Sequence, residues 1–184
     1  MAERTMRDCI LDAAELRARS GGYHGFSFRE LADDVGVKSS SIHYHFPTKG
    51  DLGVALVQRY ATRASDQLGN PGGLTPLEAV ESVTRLFRDA LIKDDRMCLC
   101  GLFGAERDSL PPEVAMATAD FFRLVLGYLA TAFGPGWTGE APAAFLARLE
   151  GGLILARALG DVSLFEDAVR PAIQVTRPAN SLST

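Results

Sequence analysis

The sequence predicts an all-α fold in two parts, a compact N-terminal group of short helices and a longer helical C-terminal part. Three observations carry that prediction. Apolar residues recur at helical spacing along the chain, and no stretch alternates apolar and polar over a strand's length before a hairpin turn. Ser or Thr is followed three positions later by Glu or Asp at repeated helix starts. Glycine and proline fall between those segments, where helices end and the chain turns. The 184 residues are 47% hydrophobic and 23% charged. That is enough apolar material for a core, so global disorder is excluded.

The first helix is expected over about 4–20, with Ile10, Leu11, Ala13 and Ala14 as its apolar face and Gly21-Gly22 as its stop. Ser27 and Glu30 read as a capping box for a short second helix, 28–35, which Gly36 ends. Lys38 and Ser39 open a third, reaching Phe46 before Pro47 breaks it. Thr48 with Asp51 starts a fourth, running to about Leu68, and Asn70-Pro71-Gly72-Gly73 is the clearest linker. Thr75-Pro76-Leu77-Glu78 opens the fifth with a cap, a proline in the first turn and an acid near the positive end of the helix dipole. Residues 97–105 read as a short, glycine-interrupted helix. Helices follow to about Phe133, over 142–159 and, from a second box at Ser163 and Glu166, to about Thr176. Residues 178–184 read as a frayed tail. The implied division is 1–48, a connecting helix 49–68, and 69–184.

Net charge is −4 and the isoelectric point about 5.4. The acidity is local. Residues 1–68 balance at nine basic and nine acidic side chains, whereas 69–184 carry ten and fourteen. Between residues 35 and 50 stand Lys38, Lys49, His43 and His45 and no acid. A local basic footprint suits phosphates even on an acidic chain. Three cysteines argue against a disulfide scaffold and for a reducing compartment. The charged start resembles no leader, and the longest uncharged run is broken at Gly134-Pro135-Gly136. A cytoplasmic chain with no membrane association is therefore expected.

The tightest constellation is 28–46. Two short helices flank the turn Val35-Gly36-Val37, and Leu31, Val35, Val37, Ile42 and Phe46 can close a small core with the first helix. Ser39, Ser40, Ser41, His43, Tyr44 and His45 are left with polar tips. This is the pattern of a helix-turn-helix whose second helix enters the DNA major groove. Hydroxyls, imidazoles and a phenol can bond base edges or phosphates, and Lys38 and Lys49 can neutralise phosphates.

Ile10-Leu11-Asp12-Ala13-Ala14, Ser27-Phe28-Arg29-Glu30-Leu31-Ala32, Val35-Gly36-Val37 and 41–52, SIHYHFPTKGDL, together resemble the TetR family of bacterial transcription regulators. The resemblance covers about 4–56 at motif level and the rest only in helix count and length. His43 stands where the family usually has tyrosine, Ser39-Ser40 where it often has lysine-glycine, and Arg17 where an aromatic is common. The resemblance implies a homodimeric repressor that binds a roughly palindromic double-stranded operator and is released by a small-molecule inducer. It carries phosphate contacts onto Ser27, Tyr44 and Lys49, and groove contacts onto Lys38, Ser39, Ser40, Ser41 and His43. It places an inducer pocket in the C-terminal part, for which Phe87, Cys98, Phe103, Arg107, Phe121 and Phe122 are the candidates, although most aromatic residues there serve a core by default. It implies a dimer interface through the last two helices, with Leu149, Leu153, Leu155, Leu159 and Phe165 supplying apolar area.

Other chemistries fit less well. His43 and His45, two apart on a helix, point to different sides and make a poor metal pair. Cys98 and Cys100 have no histidine in the C-terminal part to complete a zinc site or to act as a base. Packed thiols are the plain reading. An electrophile- or redox-sensing pair, with Arg96 lowering a thiol pKa, is the sharper alternative. An all-helical cysteine enzyme is a further alternative, but no phosphate loop or nucleophile elbow appears. No metal, no cofactor and no enzymatic activity are expected.

Overall fold

A computed structural model describes residues 4–176, and the expected tail at 178–184 lies outside them. Among the described residues there are nine α-helices, two 3-10 turns and no strand. The helices are α1 (Met6–Gly21), α2 (Phe28–Val35), α3 (Ser39–His45), α4 (Lys49–Leu68), α5 (Pro76–Ile92), α6 (Leu99–Ala105), α7 (Pro112–Phe133), α8 (Pro142–Leu159) and α9 (Ser163–Thr176). The described residues form two compact units, 4–63 with 99–121, and 64–98 with 122–176. This differs from the contiguous division expected from the sequence. Residues 99–121 cluster with the N-terminal helices, because α6 buries Leu99, Cys100 and Phe103 there.

In the first unit, α1 buries Ile10, Leu11, Ala14 and Ala18. Ser27 caps α2 by accepting the Glu30 amide at 3.3 Å, and its hydroxyl donates to the Glu30 carboxylate at 2.7 Å, which takes the place of the reciprocal amide bond of the expected box. Gly36 closes α2 in the left-handed region, φ +75°. Leu31, Ile42 and Phe46 are buried as expected, whereas Val35 and Val37 are only half-buried. Two ionic clusters that the sequence did not announce fix the helices. Arg17 on α1 reaches Glu30 at 3.1 Å and Asp34 at 3.0 Å, tying α1 to α2. Glu15, nearly buried, accepts from Arg59 at 3.1 Å and from Arg63, with Arg19 3.6 Å away. Such buried pairs cost desolvation, so their contribution is to fix how α4 lies on α1 rather than to add net stability.

The Tyr23–Gly25 turn is held by α6. Glu106, just past α6, accepts the Tyr23 amide at 2.7 Å, and the Tyr23 ring meets Phe26 and Phe103 edge-on at 5.9 and 5.7 Å. Burial, with the Glu113 charge nearby, pushes the Tyr23 phenol up to about 12. Gly22, at φ +70°, leaves room for the carboxylate: a Cβ there would lie 1.9 Å from Glu106 Oε1. Gly22→Ala is therefore expected to cost at least about 1–2 kcal/mol from backbone conformation alone. Urea unfolding should show it.

In the second unit, the Thr75–Glu78 box caps α5, which buries Val80, Val83, Thr84, Phe87 and Leu91. The α8 and α9 helices approach closely at Gly152, where a Cβ would stand 3.2 Å from Phe165 and Ala168. The expected Ser163–Glu166 box does not form. Asp161 takes the Ser163 amide and hydroxyl, at 2.9 and 2.7 Å. Glu166 is instead gripped by both Arg88 nitrogens at 2.7 Å, a fork that joins α5 to α9.

The set expected at a dimer interface needs correction. Leu149, Leu153 and Phe165 are fully buried in the unit's own core and offer no surface, while Leu155 and Leu159 are 52% and 68% exposed. Of the described helices, α7 alone is long and apolar enough to cross a membrane, at mean hydropathy 1.3. Its Val114, Phe121, Val125 and Leu129 are buried inside the protein, and 33% of the apolar stretch is buried in all.

Candidate nucleic-acid interface

The α3 helix is anchored from below and open above. Ile42 and Phe46 are buried, α3 packs on α2, and Arg7 of α1 lies over the Phe46 ring at 5.0 Å. Residues 39, 40 and 43 share one helical face, because positions three and four apart lie above one another. Lys38, Ser39, Ser40 and His43 are exposed, and Tyr44 is 84% exposed, its ring edge against His45 at 5.2 Å. Ser41 and His45 are half-buried. The His43 ring stands edge-on to Phe28, centroids 4.6 Å apart, with Nδ1 3.4 Å from the Pro47 carbonyl oxygen. A solvent-facing row of short donors and acceptors on a helix that cannot roll is a surface suited to reading a groove.

Two expected phosphate contacts have structural occupations. Ser27 is exposed but already caps α2 through Glu30. Lys49 is half-buried, its ammonium 4.6 Å from the Phe26 ring centre and 4.7 Å from that of Tyr23. Desolvation there lowers its pKa, partly countered by Glu30 and Glu106. This is cation–π packing that holds the start of α4 to the Tyr23 turn. Arg29, exposed beside Ser27 at the start of α2, is the basic side chain that sequence reading passed over. Its place two residues past a helix cap was the available signal.

The six residues named for a ligand divide between the two units. Phe103 and Phe121 are fully buried and Arg107 exposed in the first unit, while Phe87 and Cys98 are buried and Phe122 half-buried in the second. Cys100 is fully buried as well, and burial of both thiols favours packing over sensing. A cleft of about 190 Å³ in the second unit, lined by Ser65, Leu68, Pro71, Leu124, Tyr128 and Thr131 among others, includes none of the six. It is smaller than the ~300–1,000 Å³ typical of ligand pockets. The Tyr128 hydroxyl donates to the Leu68 carbonyl at 3.2 Å along it.

The arrangement defines a helix-turn-helix protein. Residues 10–56 match the family described as bacterial regulatory proteins, tetR family. The transcriptional regulator AcuR of Cereibacter sphaeroides is 30% identical over 115 residues, 60% of this chain and 49% of that protein. The HTH-type transcriptional repressor KstR of Rhodococcus jostii is 30% identical over 93 residues, 50% of this chain and 44% of that protein. The matches thus span about half the length of these curated relatives. Over nearly the whole chain, 96%, and all of the other, the fold superposes on a TetR transcriptional regulator from Legionella pneumophila with TM-score 0.82 at 29% identity. Residues 10–56 thus carry the N-terminal segment of the TetR family, and the fold as a whole is similar to that of a solved TetR regulator.

Proposed function

We propose that the chain is a cytoplasmic transcriptional repressor that binds a pseudo-palindromic DNA operator as a homodimer and is released by a small ligand, with no enzymatic activity of its own. The observation that carries the reading is the exposed row Lys38, Ser39, Ser40, His43 and Tyr44 on an α3 whose underside is locked by Ile42 and Phe46. The regulator and repressor names of the two relatives support it. Lys38 and Arg29, exposed at the starts of α3 and α2, take the phosphate contacts beside Tyr44 and Ser27, and Ser39, Ser40, Ser41 and His43 face the bases. Lys49 supports this surface from beneath through Tyr23 and Phe26, and any phosphate contact it makes is secondary.

The test is duplex binding over a salt titration. Lys38→Ala is expected to weaken all sequences alike and to shallow the log–log salt slope by about 1. An unchanged slope removes Lys38 from the phosphate set. Exposed Ile154, Leu155, Leu159 and Val162 on and after α8 supply the dimer face. The ligand reading needs differential affinity: a 100-fold release requires about 2.7 kcal/mol in favour of the DNA-incompetent state. Phe87, Cys98 and Phe122 are its candidates in the second unit, and Phe103, Arg107 and Phe121 in the first.

A further inference from the structure

We infer that His43 reads an exocyclic amino group, adenine N6 or cytosine N4, by accepting a hydrogen bond at Nε2; this rests on the DNA-binding reading above. The assignment follows from what holds the ring. A carbonyl oxygen only accepts, so Nδ1, 3.4 Å from the Pro47 oxygen, carries the hydrogen. In a neutral imidazole the other nitrogen is then an acceptor. Phe28, edge-on at 4.6 Å, stands against the ring from its side, so the two contacts together favour this tautomer and orientation before DNA arrives. Ser39 and Ser40 lie on the same face one turn earlier, and their hydroxyls adapt to donors or acceptors alike. Among the residues facing the bases, His43 differs from the serines in having a preferred polarity in advance, and it therefore discriminates. In the major groove the hydrogen-bond donors are the N6 amine of adenine and the N4 amine of cytosine, while guanine and thymine present only acceptors and a methyl group. A phenol, with a freely rotating hydroxyl, imposes no such choice, so the histidine changes the kind of base read and not merely the reach.

The experiment is enrichment of bound duplexes from a random library at pH 8. It uses the wild-type chain and His43→Phe, which keeps a ring against Phe28 and removes the acceptor. The wild type is expected to show an adenine or cytosine column in each half-site that His43→Phe flattens by about tenfold, other columns being kept. Retention of the other columns shows that the variant folds and binds. On the wild-type protein, replacing that base by purine (for adenine) or pyrimidin-2-one (for cytosine), which lack the amine, should weaken binding by about the same factor. Where the column is adenine, 7-deazaadenine, which keeps the amine and loses N7, should leave binding unchanged. A column that His43→Phe leaves intact, or wild-type binding that survives removal of the amine from the affected base pair, overturns the assignment while the DNA-binding reading stands. A wild type that enriches nothing overturns both.

Discussion

Leu159→Glu is expected to turn a dimer into a monomer and to cost operator affinity about 100-fold or more. The side chain is 68% exposed on α8, in a row with Ile154, Leu155 and Val162 that carries no charge of its own. A carboxylate there meets its own copy across a two-fold interface, where the same patch faces itself. The charge is then both desolvated and repelled. Because Leu159 is exposed in the single chain, the fold itself should survive, and melting of the variant should remain cooperative. The loss on DNA follows from linkage of the half-sites. In a dimer the second recognition helix binds at high effective concentration, a gain of ~10²–10⁴ that a monomer forgoes. Sedimentation and duplex titration on the same preparation check both halves. A variant that stays dimeric moves the interface away from this face.

Glu150→Gln is expected to stabilise the protein at pH 8 and to do little at pH 4.5. Both Glu150 carboxylate oxygens are shut off from water and meet no hydrogen-bond partner of good geometry. Burial pushes its pKa from 4.5 to about 7, and the nearby Cys98 thiol offsets only part of that. The folded state therefore holds a proton that the unfolded chain releases at ordinary carboxylate pH. The stability this confers is complete below pH ~4.5, and it is lost as pH rises through about 7, where the folded protein must carry a buried charge. The shift corresponds to about 3 kcal/mol between the two ends. An amide cannot ionise, so the variant should lack this slope. Chemical unfolding at pH 4.5, 6 and 8 separates the curves. Parallel curves for wild type and variant would mean that Glu150 finds water or a partner in solution.

Much of the helical plan was legible because its punctuation is local. Ser27 before Phe28 and Gly36 after Val35 bound α2, Pro142 and Gly160 bound α8, and each works through its own backbone. The Ser163–Glu166 box failed because a stronger partner competed. The Arg88 fork comes from a helix 78 residues away, which no local pattern encodes. The compact units differ from the contiguous division for a related reason: α6 reads as a short apolar helix, and nothing in its sequence says which core it enters.

The candidate site was legible unevenly. The exposed face of α3 follows from helical spacing once Ile42 and Phe46 are taken as the buried side. For the lysine that flanks it, charge alone does not reveal packing: Lys49 lies over two rings contributed by the 23–26 turn. On α8 both faces are apolar. Periodicity therefore could not separate Leu149 and Leu153, which face inward, from Leu155 and Leu159, which face out. The pair Glu150 and Cys98 is brought together by tertiary structure, and an isolated glutamate in an apolar helix was the only trace of it.

The most direct measurement is the mass of the protein–DNA complex formed on the sequence that the purified chain enriches from random duplexes. The account predicts an inverted repeat with half-sites about one helical turn, ~34–36 Å, apart or somewhat more, occupied by one dimer or by paired dimers. An enriched site without two-fold symmetry, a complex with a single chain, or no enrichment over unselected DNA would contradict it.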